Sequence, residues 1–225
     1  MPKKIGMVTI GQSPRDDLTE DFLKNLPNDI EVVQVGALDD LNSNMINTQL
    51  SAGIGEILYV TRLRDGSEVK VSKNKLIPLM QSKISYLDSM GVDLITILCS
   101  GEFPQFKAKA PIIYPDKILK GLASSISYHG KVAVLIPSHE QVNYANDKWS
   151  KYYTKLEIIP ISPYSSKTSD FIEVGRFINN SGSGVVIMDC MGYKQSQKET
   201  IKNVARNCMI ITTRGILEKV IIESV

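Results

Sequence analysis

The chain has 225 residues, 43% of them hydrophobic, with 26 basic against 24 acidic side chains and a net charge of +2. That length holds one large core or two small ones, since domains commonly run about 100 to 150 residues. Its charges form no long like-sign block, which gives no reason to expect a nucleic-acid or membrane surface and points to a small-molecule partner.

No apolar stretch approaches a membrane span, and the N-terminal run Ile5–Ile10 is too short for a secretion signal, so the chain reads as soluble and cytoplasmic. Three scattered cysteines, with His129 and His139 as the only histidines, suit neither a disulfide framework nor a zinc site. Reduced thiols are expected, and neither a metal nor an organic cofactor.

Lys4–Ile10 reads as a buried strand, followed by the turn Gly11-Gln-Ser-Pro-Arg15 and a helix from Asp16 to Asn25 with acidic residues in its first turn. A second strand, Glu31–Val35, runs into Gly36-Ala-Leu-Asp-Asp40. Asp65-Gly66 between the β-rich runs Glu56–Leu63 and Glu68–Ser72 predicts an inserted hairpin. Leu76, Ile77, Met80, Ile84 and Leu87 recur at helical spacing and Gly91 closes that helix. The strand Leu94–Leu98 and a short one at Ile112 and Ile113 complete a first lobe.

The second half restarts the pattern. Strands are expected at Lys131–Ile136, Lys155–Ile161, Gly184–Met188 and Met209–Thr212, and helices at 141–152, 169–178, 195–206 and 214–223. The fold class is therefore α/β, two similar βα lobes with parallel sheets and a β-hairpin inserted in the first. The expected boundaries are 1–125 with the hairpin at 56–73, then 126–212, with 213–225 as a C-terminal helix packing back on the first lobe.

Two motifs carry chemistry. Ile95-Thr-Ile-Leu-Cys99-Ser-Gly and Val185-Val-Ile-Met-Asp-Cys190-Met-Gly each end an apolar strand in a thiol followed by a glycine turn. Parallel strands deliver such side chains to the carboxyl edge of their sheet, where ligands bind. Backbone N–H groups there lower a free thiol pKa of about 8.5. The pattern predicts Cys99 and Cys190 facing one ligand across a shared cleft as an acid–base pair, whereas Cys208, between a helix and the next strand, reads as structural.

Ser13, Pro14 and Arg15 follow the first strand, and Arg15 is the expected carboxylate anchor. Ser100, Gly101 and Glu102 extend the first thiol turn, with Glu102 orienting an amine or assisting the thiol; Met191, Gly192 and Tyr193 extend the second. Ser138 and His139, matched to Ser13 and Pro14, are expected on the opposite wall. Asp189 should point away from the site because neighbouring strand residues face opposite ways, and Arg214 reads as a solvated charge. No Walker motif or nucleophile elbow is present.

Gly11-Gln-Ser-Pro-Arg-Asp-Asp17, Gly36-Ala-Leu-Asp-Asp40, the Arg-Asp-Gly hairpin, Cys99-Ser-Gly-Glu-Phe-Pro104 and Asp189-Cys-Met-Gly-Tyr193 together resemble the AroM family across nearly the full length. In architecture the chain is similar to the aspartate/glutamate racemase superfamily, which includes hydantoin racemases, maleate isomerases and arylmalonate decarboxylases. Those racemases typically carry Asn-Thr after the first cysteine, where this chain has Ser-Gly-Glu. The resemblance implies a cofactor-independent racemase or isomerase of a small carboxylate or amino-acid-like ligand, in a monomer or homo-oligomer. The alternatives are a non-catalytic ligand sensor on the same scaffold and a one-thiol lyase or decarboxylase.

Overall fold

A computed structural model describes residues 3–225, apart from the side chains of Asp21 and Phe22; Met1 and Pro2, at the head of the expected first lobe, lie outside the described residues. The chain divides into two compact units, 1–116 with 220–225, and 117–219.

In the first unit, β1 (Lys4–Thr9) leads through α1 (Asp16–Leu23) to β2 (Glu31–Gly36), and α2 (Ser43–Gln49) leads to the antiparallel hairpin β3 (Leu58–Arg62) and β4 (Glu68–Ser72). Helix α3 (Lys73–Ser89) then delivers β5 (Leu94–Ile97), β6 (Ile112–Ile113) and the start of α4 (Pro115–Ser125). The main sheet is wholly parallel in the order β2-β1-β5-β6. β1 and β5 are apolar on both faces, as a parallel strand covered on both sides requires. Leu76, Met80, Ile84 and Leu87, one stripe of α3, are fully buried.

The second unit holds β7 (Lys131–Ile136), a short 3-10 turn at His139–Gln141, α5 (Val142–Trp149), β8 (Leu156–Pro160), α6 (Thr168–Ser181), β9 (Ser183–Met188), α7 (Gln195–Val204), β10 (Met209–Thr212) and the start of α8 (Thr213–Ser224). Its sheet is also parallel, in the order β8-β7-β9-β10. Both sheets thus place the second strand outside the first and the third and fourth on the other side. Two cores cover the second sheet, one around Phe171, Ile178 and Tyr193, the other around Trp149, Tyr153 and Leu119.

Two helices go beyond the sequence expectation. Helix α2 is built from Ser43-Asn-Met-Ile-Asn-Thr-Gln49, residues that compete with helical hydrogen bonds through their own side chains. It forms because Asn42 accepts from Met45 N–H as an N-cap and Ile46 is buried. Helix α4 owes its place to Leu119 and Ala123, both buried in the second unit's core. None of the described helices is long and apolar enough to cross a membrane.

Candidate functional site

Strand order fixes where each sheet can bind a ligand. When connections leave the first strand in opposite directions, the loops after the first and third strands part and open a crevice at their carboxyl ends. In the first unit these strands are β1 and β5, in the second β7 and β9. Cys99 and Cys190 sit just beyond β5 and β9.

The two places match bond for bond. Leu98 N–H donates to Val8 O at 2.8 Å, and Asp189 N–H donates to Leu135 O at 2.9 Å, so each cysteine directly follows a residue still tied to the first strand. Beyond it the chain turns sharply: Gly101 N–H donates to Cys99 Sγ at 3.3 Å, and Gly192 N–H donates to Cys190 Sγ at 3.3 Å. A donor aimed at sulfur favours its charged form.

Both glycines are sterically required. A Cβ on Gly101 would stand 2.4 Å from Tyr59 Cζ, and one on Gly192 would stand 2.6 Å from Tyr164 Cζ and 2.7 Å from Pro163 Cγ. Cys99 is half-buried and Cys190 is 8% exposed; none of the three cysteines is in a disulfide. Cys208 is buried, its Sγ donating to Ala205 O at 3.0 Å, and burial raises its pKa above the ordinary 9.0.

The loop after β1 is a closed polar cage. Ser13 gives both its N–H and its hydroxyl to the Asp39 carboxylate, at 2.7 and 2.8 Å, and Gly36 N–H reaches the same group at 2.7 Å. Arg64 from the hairpin turn donates to Asp39 Oδ1 at 2.7 Å and to Ser13 O at 2.5 Å. The motifs around Gly11, Gly36 and Arg64 therefore meet at one point. Arg15, expected as an anion anchor, is 3% exposed and lays its fork on Asp17, Nε to Oδ1 at 2.8 Å and Nη2 to Oδ2 at 3.0 Å, with Nη1 on Thr61 Oγ1 at 3.3 Å. Pro14 is exposed beside it.

In the second unit the loop after β7 differs from the expected alignment. Ala37 N–H donates to Thr9 O and Ile161 N–H to Ile136 O, so Thr9 matches Ile136 and, counting on, Ser138 and His139 match Gly11 and Gln12 rather than Ser13 and Pro14. Ser138 is buried and hydrogen-bonded to Glu140, while His139 is exposed.

Arg214 corrects a second expectation. It is 5% exposed instead of solvated, because α8 starts directly off β10 at the carboxyl edge and turns the guanidinium back onto the thiol loop, where Nε donates to Met191 O at 3.3 Å. Thr213 Oγ1 donates to Met188 O at 3.1 Å. Tyr193, fully buried, donates its hydroxyl to Ile161 O at 2.7 Å. Burial, followed by negative charge at Cys190, Asp189 and Tyr164, pushes its pKa well above the ordinary 10.0.

Asp189 forms a buried ion pair with Lys148 of α5 and accepts from Trp149 Nε1 at 2.8 Å. Lys148, Asp39 and Tyr59 carry no local signal that singles them out in the sequence beyond the Asp-Asp repeat at 39 and 40. The pairing of the first two with charged partners lies at long sequence range. Among the described residues no cluster of His, Cys, Asp and Glu is arranged to hold a metal ion.

The family described as "AroM protein" matches residues 5–223. The chain belongs to the AroM family. No curated protein matches the sequence. Among solved structures, the AroM-family chain superposes on the maleate isomerase of Pseudomonas putida with a TM-score of 0.61 at 10% identity, covering 99% of this chain and 92% of that one. The Picrophilus torridus aspartate racemase gives 0.60 at 14% identity over 99% and 94% of the two chains. An allantoin racemase from Klebsiella pneumoniae gives 0.57 at 14% identity over 99% and 86%. At such identities the likeness establishes a racemase-like α/β fold.

Proposed function

We propose that this AroM-family chain is a cofactor-independent racemase or isomerase of a small carboxylate, with Cys99 and Cys190 as its acid–base pair. The observation that supports the reading is the matched turn: two thiols after the third strands of two like-ordered sheets, each receiving the N–H of the glycine two residues on. One thiolate removes a proton from the carbon next to the carboxylate and becomes a thiol. The other thiol returns a proton to the opposite face and becomes a thiolate. Positioned groups of this kind contribute about 10²- to 10⁴-fold each.

Ser13 and Arg15 spend their donors on Asp39 and Asp17, so in this reading they keep the loop in shape. Recognition of the carboxylate falls to Ser100 and Met191 of the two thiol turns, whose glycine N–H groups face sulfur, with Glu102 facing an amine where the ligand has one. Folds similar to this one are named for aspartate, allantoin and maleate, which sets the first panel.

The test is incubation of dicarboxylates, amino acids and hydantoins in deuterated water. The expected result is deuterium at one carbon of one substrate, with Cys99→Ser and Cys190→Ser each abolishing interconversion while one enantiomer still exchanges. A ligand that stabilises wild type and both serine variants equally, without exchange, would replace the reading by a ligand sensor. The unequal exposure of the thiols favours one further reading, a one-thiol lyase, for which a single serine variant alone would be inactive.

A further inference from the structure

The hairpin lies outside the parallel sheet, yet it holds both of the loops that open the first unit's crevice. Tyr59 and Thr61 alternate onto one face of β3. Thr61 Oγ1 receives Arg15 Nη1, and a Cβ on Gly11 would stand 2.5 Å from both Thr61 Oγ1 and Arg62 O, so this strand closes on the Gly11–Arg15 loop. Tyr59 closes on the thiol turn. Its ring fills the space where Gly101 has no side chain, and its hydroxyl donates to Glu102 O at 2.8 Å.

The ring is itself fixed. It meets Phe103 edge-on at 5.4 Å between centroids, Phe103 meets Phe106 at 5.8 Å, and Phe106 stacks on Tyr114 at 6.4 Å. Tyr114 also accepts Phe106 N–H at 2.8 Å, so an aromatic file pins the irregular stretch between β5 and β6. At the Cys190 turn the wall against Gly192 comes instead from Tyr164 and Pro163, and Arg214 and Tyr193 hold the loop, all from within its own unit.

We infer that Tyr59 is a positioning residue for Cys99: by walling Gly101 and anchoring Glu102 it keeps the Gly101 N–H directed at the sulfur. The inference rests on the reading of Cys99 as an acid–base group, and its test needs no substrate. Full-length protein is alkylated with iodoacetamide across a range of pH, and modification of Cys99 and Cys190 is followed separately by peptide mass spectrometry. The midpoint of each profile reports the thiol–thiolate balance, which a simple change of access does not move.

Tyr59→Phe keeps the ring and removes the hydroxyl anchor. It is expected to shift the Cys99 midpoint upward and slow its alkylation at neutral pH by about threefold to tenfold, the scale of one hydrogen bond, with Cys190 unchanged. Gly101→Ala, which collides with the ring, is expected to shift Cys99 further in the same direction. If either variant unfolds, the other decides. Unchanged Cys99 midpoints in a folded variant, or equal shifts at both thiols, would overturn the inference. Normal deuterium exchange in Cys99→Ser would instead sink the functional reading and leave the Tyr59 result standing.

Discussion

Lys148 Nζ lies 2.8 Å from Asp189 Oδ2, with the two side chains 1% and 6% exposed, and Asp189 directly precedes Cys190. An ion pair so far from water stands because each charge answers the other, and removing one partner strands the second in the core. Lys148→Met is expected to lower unfolding free energy by about 3 to 5 kcal/mol in urea titrations. Replacing both, as in Lys148→Met with Asp189→Leu, should cost less than the two single changes added together. Additive losses would mean that the pair is not coupled.

Asp39 gathers Ser13, Gly36 and Arg64 around one carboxylate. Asp39→Ala leaves the two backbone donors and the guanidinium to find other partners, at an expected cost of at least about 2 kcal/mol. Amide exchange should accelerate over 11–15 and 62–66 together, because one group ties those segments. Acceleration of only one of them would show that the loop and the hairpin turn are held separately.

Tyr193 and Cys208 set the alkaline behaviour. Burial holds both groups protonated above their ordinary values of 10.0 and 9.0. In the unfolded chain each ionises at its ordinary value, so above that pH the unfolded state binds fewer protons than the folded one. Their contribution is complete below about pH 9 and falls as pH rises, by up to about 1.4 kcal/mol per pH unit for each group. Urea midpoints should decline above about pH 9 as these two groups ionise in the unfolded chain. Tyr193→Phe should lower the plateau by about 1 kcal/mol for the lost bond to Ile161 O and flatten the decline that begins near pH 10. Stability rising above pH 9 would contradict this account.

Strands and long helices were legible because their pattern is local. Ile5–Val8 of β1, Val132–Ile136 of β7 and Gly184–Met188 of β9 are unbroken apolar runs, and α3 repeats its buried stripe through Leu76, Met80, Ile84 and Leu87. The placement of the thiols just beyond β5 and β9 followed from the ends of those two strands. What held the thiols did not, since Tyr59 reaches Glu102 across 43 residues of sequence and Lys148 reaches Asp189 across 41. Arg15 and Arg214 show the same limit for charge. Whether a cation at a helix start meets water or a buried acceptor depends on which strands flank that helix, and Met191 O became the partner of Arg214 only because β10 lies beside β9.

The hairpin makes the two halves of this chain unequally adjustable. Strand β3 can vary in length, twist or side chain without disturbing a parallel ladder, because its strand pairing is to β4 alone. Substitution there would retune the first thiol from the periphery, whereas Lys148, Tyr193 and Arg214, which fasten the second, are buried in its own unit. Divergence among chains of this type should therefore accumulate on the hairpin side, one thiol drifting in character while its counterpart stays fixed.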